Sequence, residues 1–386
     1  LVITCDTSIF HDGSAAAKRA LELASLFSEV HVIVLYLNTK DEVHSKRLGA
    51  DVWVYRTHSS YWWKTIWDAH KVAKRQLHFG GGFRPDIIIA DDPFEAGMAG
   101  YFISKKYNRP LQAHIKTDFF DPLFKARAPH NAWRMLMAGF LLPRVSCIRT
   151  QSEYMRGRII EHFKKPEKEV AVLPVFYDLN AWRDAVPPFR LSERYPQFKF
   201  TLFHASSMNA LSHTGEIIDG LFYILRQYPT IGLIIVGEGP DTPSLKQRVK
   251  EYSLSSQIIF EPMQTDLLPY VKSANVVIHA SVEALLDRVV LMAAAVGVPM
   301  VCGSSGLASE LFVDNESVML CPVDSPPCFG EKVNKLLNDN ALRRKLAMNA
   351  RGEVAARVEQ NYRTYLESYR ASIEQCLLAE KETEQA

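Results

Sequence analysis

The sequence predicts an α/β protein built from two doubly wound parallel-sheet domains, and three observations carry that prediction. Short apolar strand patterns alternate with helical patterns through both halves, as in a parallel sheet covered on both faces. Pro187, Pro188 and Pro196 interrupt the alternation and mark a connector. The stretch from Ser281 to Glu310 runs through a capped apolar helix, a Gly-x-Pro turn, a buried strand and a Gly-containing loop without a break. That order sets a helix N-terminus and a loop at one edge of a parallel sheet, where phosphorylated ligands bind.

The first domain, residues 1–180, opens with the strand Leu1 to Cys5, a helix from about Ser14 to Phe27 and the apolar run from Val30. Further strands are expected at Asp86 to Ala90, Leu111 to Lys116, Ser146 to Thr150 and Val170 to Val175. A linker, residues 181–197, leads to a second domain, residues 198–360, whose first strand begins at Phe198. A helix from about Thr214, the strand from Ile231 into Gly237-Glu238-Gly239-Pro240, a helix to Tyr252 and the strand Gln257 to Phe260 follow. A helix near Asp266 and a strand before Ser281 complete the series. Residues 361–386 read as a helix with Tyr362, Tyr365, Leu366, Tyr369, Ile373 and Leu377 along one side, then a polar tail.

Composition narrows the functional classes. With 47% hydrophobic residues in 386, full cores are expected in both domains, and a net charge of +2 with no Lys/Arg run argues against nucleic acid. Six cysteines are scattered without a Cys-x-x-Cys pair or clustered His, so they read as reduced core thiols, and no metal or cofactor is expected. The longest apolar runs are too interrupted by Gly and Pro to cross a bilayer, and no leader pattern precedes the first strand. A cytoplasmic protein is expected, with the inner face of a membrane as the alternative location.

The Ser281–Glu310 stretch resembles the nucleotide-sugar signature of the family 4 glycosyltransferases, which share the GT-B architecture of two Rossmann-like domains with a C-terminal helix crossing back to the first. Segments from Arg84, Pro110, Val170 and Gly232 are similar to the same family in the same order. The resemblance implies a retaining transfer of a sugar from a nucleoside-diphosphate donor held by the second domain. The acceptor, a glycan or lipid-linked sugar, is held by the first. The family's Glu-x7-Glu pair falls on Ala284 and Met292, with Glu283 one step out of register. Its phosphate-binding Arg and Lys fall on Ser207 and Ser212. Charge-assisted bonds to phosphate are roughly twice as strong as neutral ones, so donor binding is expected to be weak, and to tighten if Arg, Lys and Glu are restored at 207, 212 and 292. Gly237 and Glu238 mark the base and ribose side of the donor site, and Glu310 after Gly306 either matches a further family position or is an ordinary acid in a helix after a loop. His204 and His213 are offered as substitute cations.

On the acceptor side the family's His-Thr-Asp is Lys116-Thr117-Asp118 here, with His114 two residues earlier on the same strand face. His114, Lys116 and Asp118 are therefore the candidate catalytic residues, with Asp118 the expected partner of Lys116. In an active enzyme, replacing His114 or Asp118 by Ala is expected to abolish turnover and barely move the melting temperature; in an inactive homologue neither change is expected to matter to transfer. Several features keep two readings. Glu283 is either a displaced sugar-site carboxylate or a first-turn acid favoured by the helix dipole. The segment from Trp133 to Arg144 either lies on a membrane surface or packs under the first sheet. Tyr61, Trp62, Trp63 and Trp67 either stack on sugar rings or form a core face. The loss of several charged positions together also fits an inactive homologue acting as a binding subunit, for instance of a partner glycosyltransferase.

Overall fold

The computed structural model describes residues 1–37, 44–78, 82–120, 124–125, 128–209, 212–280, 287–304, 306–358 and 361–385. The chain divides into two compact units, Leu1–Val175 with Asn361–Ala386, and Phe176–Gln360.

In the first unit the strands are β1 (Val2–Thr4), β2 (Val30–Val34), β3 (Ser45–Arg47), β4 (Val52–Arg56), β5 (Ile88–Ala90), β6 (Leu111–Ile115), β7 (Cys147–Thr150) and β8 (Val170–Val172). They form one sheet in the order β3-β4-β2-β1-β5-β6-β7-β8, parallel except for the β3 edge. β3 and β4 were not among the expected strands. The run from Val52 is short and carries Trp and Arg, and only its pairing with β2 reveals it. Helices α1 (Ala15–Ala24), α2 (Lys64–His78), α3 (Glu95–Tyr107), α4 (Asn131–Leu141) and α5 (Glu153–Phe163) connect the strands. Ser14 caps α1 by accepting the Ala17 amide at 3.1 Å, and Ser152 caps α5 through Met155 at 3.2 Å. Asn108 ends α3 in the left-handed conformation, φ 48°, which asparagine tolerates better than most residues.

The second unit carries β9 (Phe200–Ala205), β10 (Ile231–Val236), β11 (Ile258–Glu261), β12 (Val276–His279), β13 (Met300–Gly303) and β14 (Met319–Cys321), all parallel, in the order β11-β10-β9-β12-β13-β14. Its helices are α6 (Leu179–Asp184), α7 (Leu191–Arg194), α8 (Thr214–Gln227), α9 (Thr242–Glu251), α10 (Leu268–Ser273), α11 (Asp287–Val296), α12 (Gly306–Leu311), α13 (Pro326–Asn338) and α14 (Asn340–Arg357). α11 is buried all round: Val289 to Ala295 sit in one apolar cluster with Ile234, Val277, Met300 and Ala350. A helix apolar on every side belongs in a core.

The last helix, α15 (Tyr362–Gln385), packs on β6 and β7 of the first unit. Tyr369, Ile373 and Cys376 join Ile87, Ile89 and Cys147 in one cluster. The expectation of reduced thiols is corrected here. Cys147 is bonded to Cys376 and Cys321 to Cys328, with Cα atoms 5.5 and 5.7 Å apart, while Cys5 and Cys302 form no disulfide. The 229-residue separation of the first pair hid it from any reading of local spacing. No described helix is long and apolar enough to cross a membrane.

Candidate functional site

In a doubly wound sheet, ligands collect at the carboxyl ends of the strands where the order reverses. In the first unit that point lies between β1 and β5, and Asp91 and Asp92 follow β5 directly. Asp91 receives the Thr4 hydroxyl at 3.0 Å on Oδ2 and pairs through Oδ1 with Lys116. Nδ1 of His114 is 3.7 Å from the same Oδ1, beyond hydrogen-bond reach. Burial works to raise the Asp91 pKa, and the adjacent Lys116 charge works against it, the carboxyl lying well below its usual range. The expected Lys116–Asp118 pair is corrected: Lys116 is taken by Asp91, and Asp118 accepts from Arg158 at 3.1 Å and from the Phe120 amide at 2.9 Å. Strand spacing places side chains on faces, and it says nothing about which neighbouring strand supplies the counter-charge.

His114 and Lys116 do share a face of the β6 segment, since both converge on Asp91. His114 is 3% exposed. Its Nε2–H donates to Gln112 Oε1 at 3.0 Å, and Gln112 in turn donates to the Ser372 carbonyl of α15 at 3.1 Å. Burial and the nearby Arg149 charge push the imidazole down to about 3, so it is neutral at pH 7. The expectation that His114→Ala would barely move the melting temperature is therefore replaced: the ring supports the seat of α15. Arg149 lies buried in register beside it, its guanidinium 4.3 Å over the Tyr369 ring.

Sequence reasoning passed over Asp92. Its Oδ1 accepts the Phe94 amide at 2.7 Å and its Oδ2 lies 3.4 Å from Cys5 Sγ. Burial pushes its pKa up to about 6, and Glu95 adds to the shift. It is thus a carboxyl that titrates near neutrality, the property a proton carrier needs. Two adjacent acids at a strand end were the available signal. Cys5, Asp92 and Glu95 hold ligand atoms within 4.8 Å of one another, the described grouping with metal-binding spacing. Glu95 is already bound by Arg134 at 2.9 Å and Asp92 by backbone amides, so a cation there would have to displace them.

In the second unit the order reverses between β9 and β12. His204 ends β9 fully buried, donating from Nδ1 to the Ile278 carbonyl at 3.0 Å and accepting the Thr214 hydroxyl on Nε2 at 3.0 Å. Burial pushes it down to about 4, so it cannot serve as the substitute cation expected of it. The Ser206 hydroxyl donates to Thr214 Oγ1 at 2.6 Å, and the Met208 amide donates to Ser206 Oγ at 2.9 Å. Ser212, also fully buried, donates to the Asn209 carbonyl at 2.8 Å. Ser207 is half-buried in the same loop. His213 starts α8 in the left-handed conformation, φ 47°, with Nδ1 3.6 Å from Glu216.

Gly237 follows β10 at φ +148°, and a Cβ there would run into the Ser206 carbonyl; one at Gly239 would run into that of Ser207. These glycines let the 206–208 loop lie against the β10 turn, a close approach of protein backbone to itself. Glu238 is exposed between them. Met292 is fully buried in the α11 core. Gly306 starts α12, and the Glu310 carbonyl accepts from Arg357 at 3.2 Å. Glu283 lies outside the described residues.

Two parallel sheets of this kind, each with a loop-rich carboxyl edge, define the GT-B glycosyltransferase fold. Residues 2–175 match the glycosyl transferase 4-like domain and residues 217–353 the glycosyl transferases group 1 domain, and the chain belongs to that family of glycosyltransferases. N-acetyl-alpha-D-glucosaminyl L-malate synthase of Bacillus anthracis is 23% identical over 194 residues, 49% of this chain and 50% of that one. Alpha-monoglucosyldiacylglycerol synthase of Streptococcus pneumoniae is 22% identical over 260 residues, 64% of this chain and 58% of that one. The chain thus spans about half the length of the curated relatives it matches. Anabaena Alr3699/HepE, crystallised in complex with UDP, superposes with a TM-score of 0.73 at 17% identity, over 97% of this chain and 98% of its own. Sucrose-phosphate synthase of Thermosynechococcus elongatus gives 0.72 at 15% identity, over 100% and 99%. At such identities the likeness is one of fold.

Proposed function

We propose that this chain is a retaining glycosyltransferase whose second unit takes a nucleoside-diphosphate sugar without a metal ion and whose first unit takes a glycan or lipid-linked acceptor. The intact turn of Gly237 and Gly239 against the 206–208 loop, ahead of the α8 N-terminus, carries this reading. In it the donor diphosphate is met by backbone amides and neutral hydroxyls around Ser207, and Glu238 and Glu310 flank the nucleotide. Anionic groups are stabilised at helix N-termini even without a cation, though more weakly than by Arg. Structures of Anabaena Alr3699/HepE with UDP and with UDP-glucose support the donor class. On the acceptor side, Lys116 held by Asp91 and the neutral His114 beneath it line the edge where the acceptor hydroxyl would sit, with Asp92 able to take its proton.

A second reading, a non-catalytic binding subunit, is favoured by one observation: Ser212 and Met292, at the positions of the family's Lys and second Glu, are fully buried. Calorimetric titration with UDP, GDP and ADP, followed by donor turnover with the matching sugar nucleotide, separates the two. Measurable binding with slow turnover that survives EDTA is expected. Turnover abolished by EDTA and restored by Mg2+ would remove the metal-free mechanism. Binding with no turnover on any donor would establish the second reading.

A further inference from the structure

The aromatic segments left with two readings in the sequence form one surface in the first unit. Along α4, Trp133, Leu136, Met137 and Phe140 fall at i, i+3, i+4 and i+7, the spacing that normally seats a helix in a core. The side of α4 packed on the core is Ala138 and Leu141 with the half-buried Met135 and Met137, while Trp133, Leu136 and Phe140 are 62%, 65% and 41% exposed. From Phe140 further aromatic contacts follow on α3 and α2. Tyr101 of α3 meets Phe140 at 5.6 Å between ring centroids, Phe102 stacks on Trp67 of α2 at 5.5 Å, and Trp63 and Tyr61 stack at 6.0 Å just ahead of α2. Every exposed tryptophan among the described residues lies on α2 or α4 or just ahead of α2.

Charge decides what covers it. Residues 61–78, 95–107 and 131–144 carry eight Lys and Arg against two acids, in a chain whose whole balance is 45 against 43. Both acids are already paired, Asp68 with Lys71 and Glu95 with Arg134, each at 2.9 Å. Lys64 lies over the Tyr61 and Trp63 rings, Lys105 over Tyr101 and Arg144 over Phe140, so the cations rim the aromatic surface itself. A protein partner would need an acidic aromatic counterpart, whereas a bilayer with anionic headgroups matches both halves of the pattern. Trp and Tyr favour the headgroup level, aliphatic side chains reach the acyl boundary, and Lys and Arg meet the surface charge.

We propose that the α2–α3–α4 aromatic band docks this protein on the surface of an anionic lipid bilayer, whatever the fate of the donor chemistry. The test is cosedimentation of the full chain with phosphatidylcholine vesicles and with phosphatidylcholine–phosphatidylglycerol vesicles, with tryptophan emission recorded in parallel. Binding to the anionic vesicles with a blue shift is expected. It should fall at least tenfold when salt shortens the screening length from about 10 Å to about 3 Å. The combined Trp133→Ser, Leu136→Ser and Phe140→Ser variant should lose the sedimentation and keep the parent's melting temperature, since all three side chains are exposed. Lys64→Glu with Lys105→Glu should lose it without touching an apolar group. Protein left in the supernatant with both vesicles, or binding unchanged in both variants, would overturn the proposal. A dimer that the triple Ser variant dissociates, with no vesicle binding by the parent, would overturn it in favour of a second copy as the occupant.

Discussion

The carboxyl edges of the two sheets are built from opposite materials. In the first unit the edge carries part-exposed ion pairs, Asp91 with Lys116 and Asp118 with Arg158. In the second unit the switch point between β9 and β12 is a neutral network of His204, Ser206, Ser212 and Thr214, and the ion pair of Arg194 with Glu261 lies farther out at the end of β11. Exposure accounts for the difference. Asp91, Lys116, Asp118 and Arg158 keep roughly a third of their side chains in water, which shares the cost of the charge. The four members of the second network are at most 1% exposed, where a charge would have neither solvent nor partner. A position in a family motif therefore cannot be returned to its charged residue in isolation, because the packing around it has changed with it.

The comparison breaks most clearly at Met292. Met292→Glu places a carboxylate among Leu291, Ala293 and the rest of the α11 core, and is expected to cost roughly 3–5 kcal/mol in a urea titration, not to improve donor binding. A folded variant with tighter UDP binding would show that this helix face reaches the ligand.

Acid titration sharpens the contrast next. The His204 pKa is about 4 folded against 6.5 for the free side chain, so its contribution is present above pH 6.5 and is lost as pH falls toward 4. By linkage the loss is on the order of 3 kcal/mol. His204→Gln should flatten that part of the stability–pH curve. An unchanged curve would mean that other groups, His114 first among them, carry the acid sensitivity. Gly237→Ala forces a side chain onto a backbone at φ +148° with the Ser206 carbonyl in its way, for roughly 1–3 kcal/mol. It should also weaken nucleotide binding if the 206–208 loop is displaced, which calorimetry on the folded variant would reveal.

The smallest effect belongs to the charged edge. Arg158→Met removes a part-exposed pair and is expected to change stability by about 0.2–1 kcal/mol. A loss several times larger would mean that the first-unit pairs are as tightly built as the neutral network, and the contrast between the edges would fail.

Both sheets and most strand positions were legible because parallel strands buried on both faces leave continuous apolar runs such as Ile231–Val236, while the return of the C-terminal helix to the first unit was what the family resemblance implied. β3 and β4 were not, since Ser45–Arg47 has no apolar pattern and declares itself only by pairing with Val52–Arg56. At the candidate site, the shared face of His114 and Lys116 followed from the two-residue strand repeat. The partner of Lys116 did not, because Asp91 lies 25 residues earlier, just past the end of another strand.

By itself the sequence determined the alternation, the proline break and the family motif frame with its missing charges, all of which are local in the chain. Only the tertiary structure decided that Met292 and Ser212 are buried, that His204 is neutral, that Cys147 meets Cys376, and that an apolar stripe on α4 faces outward. Burial and protonation depend on what other segments bring to a point in space, and periodicity along one segment carries no record of that.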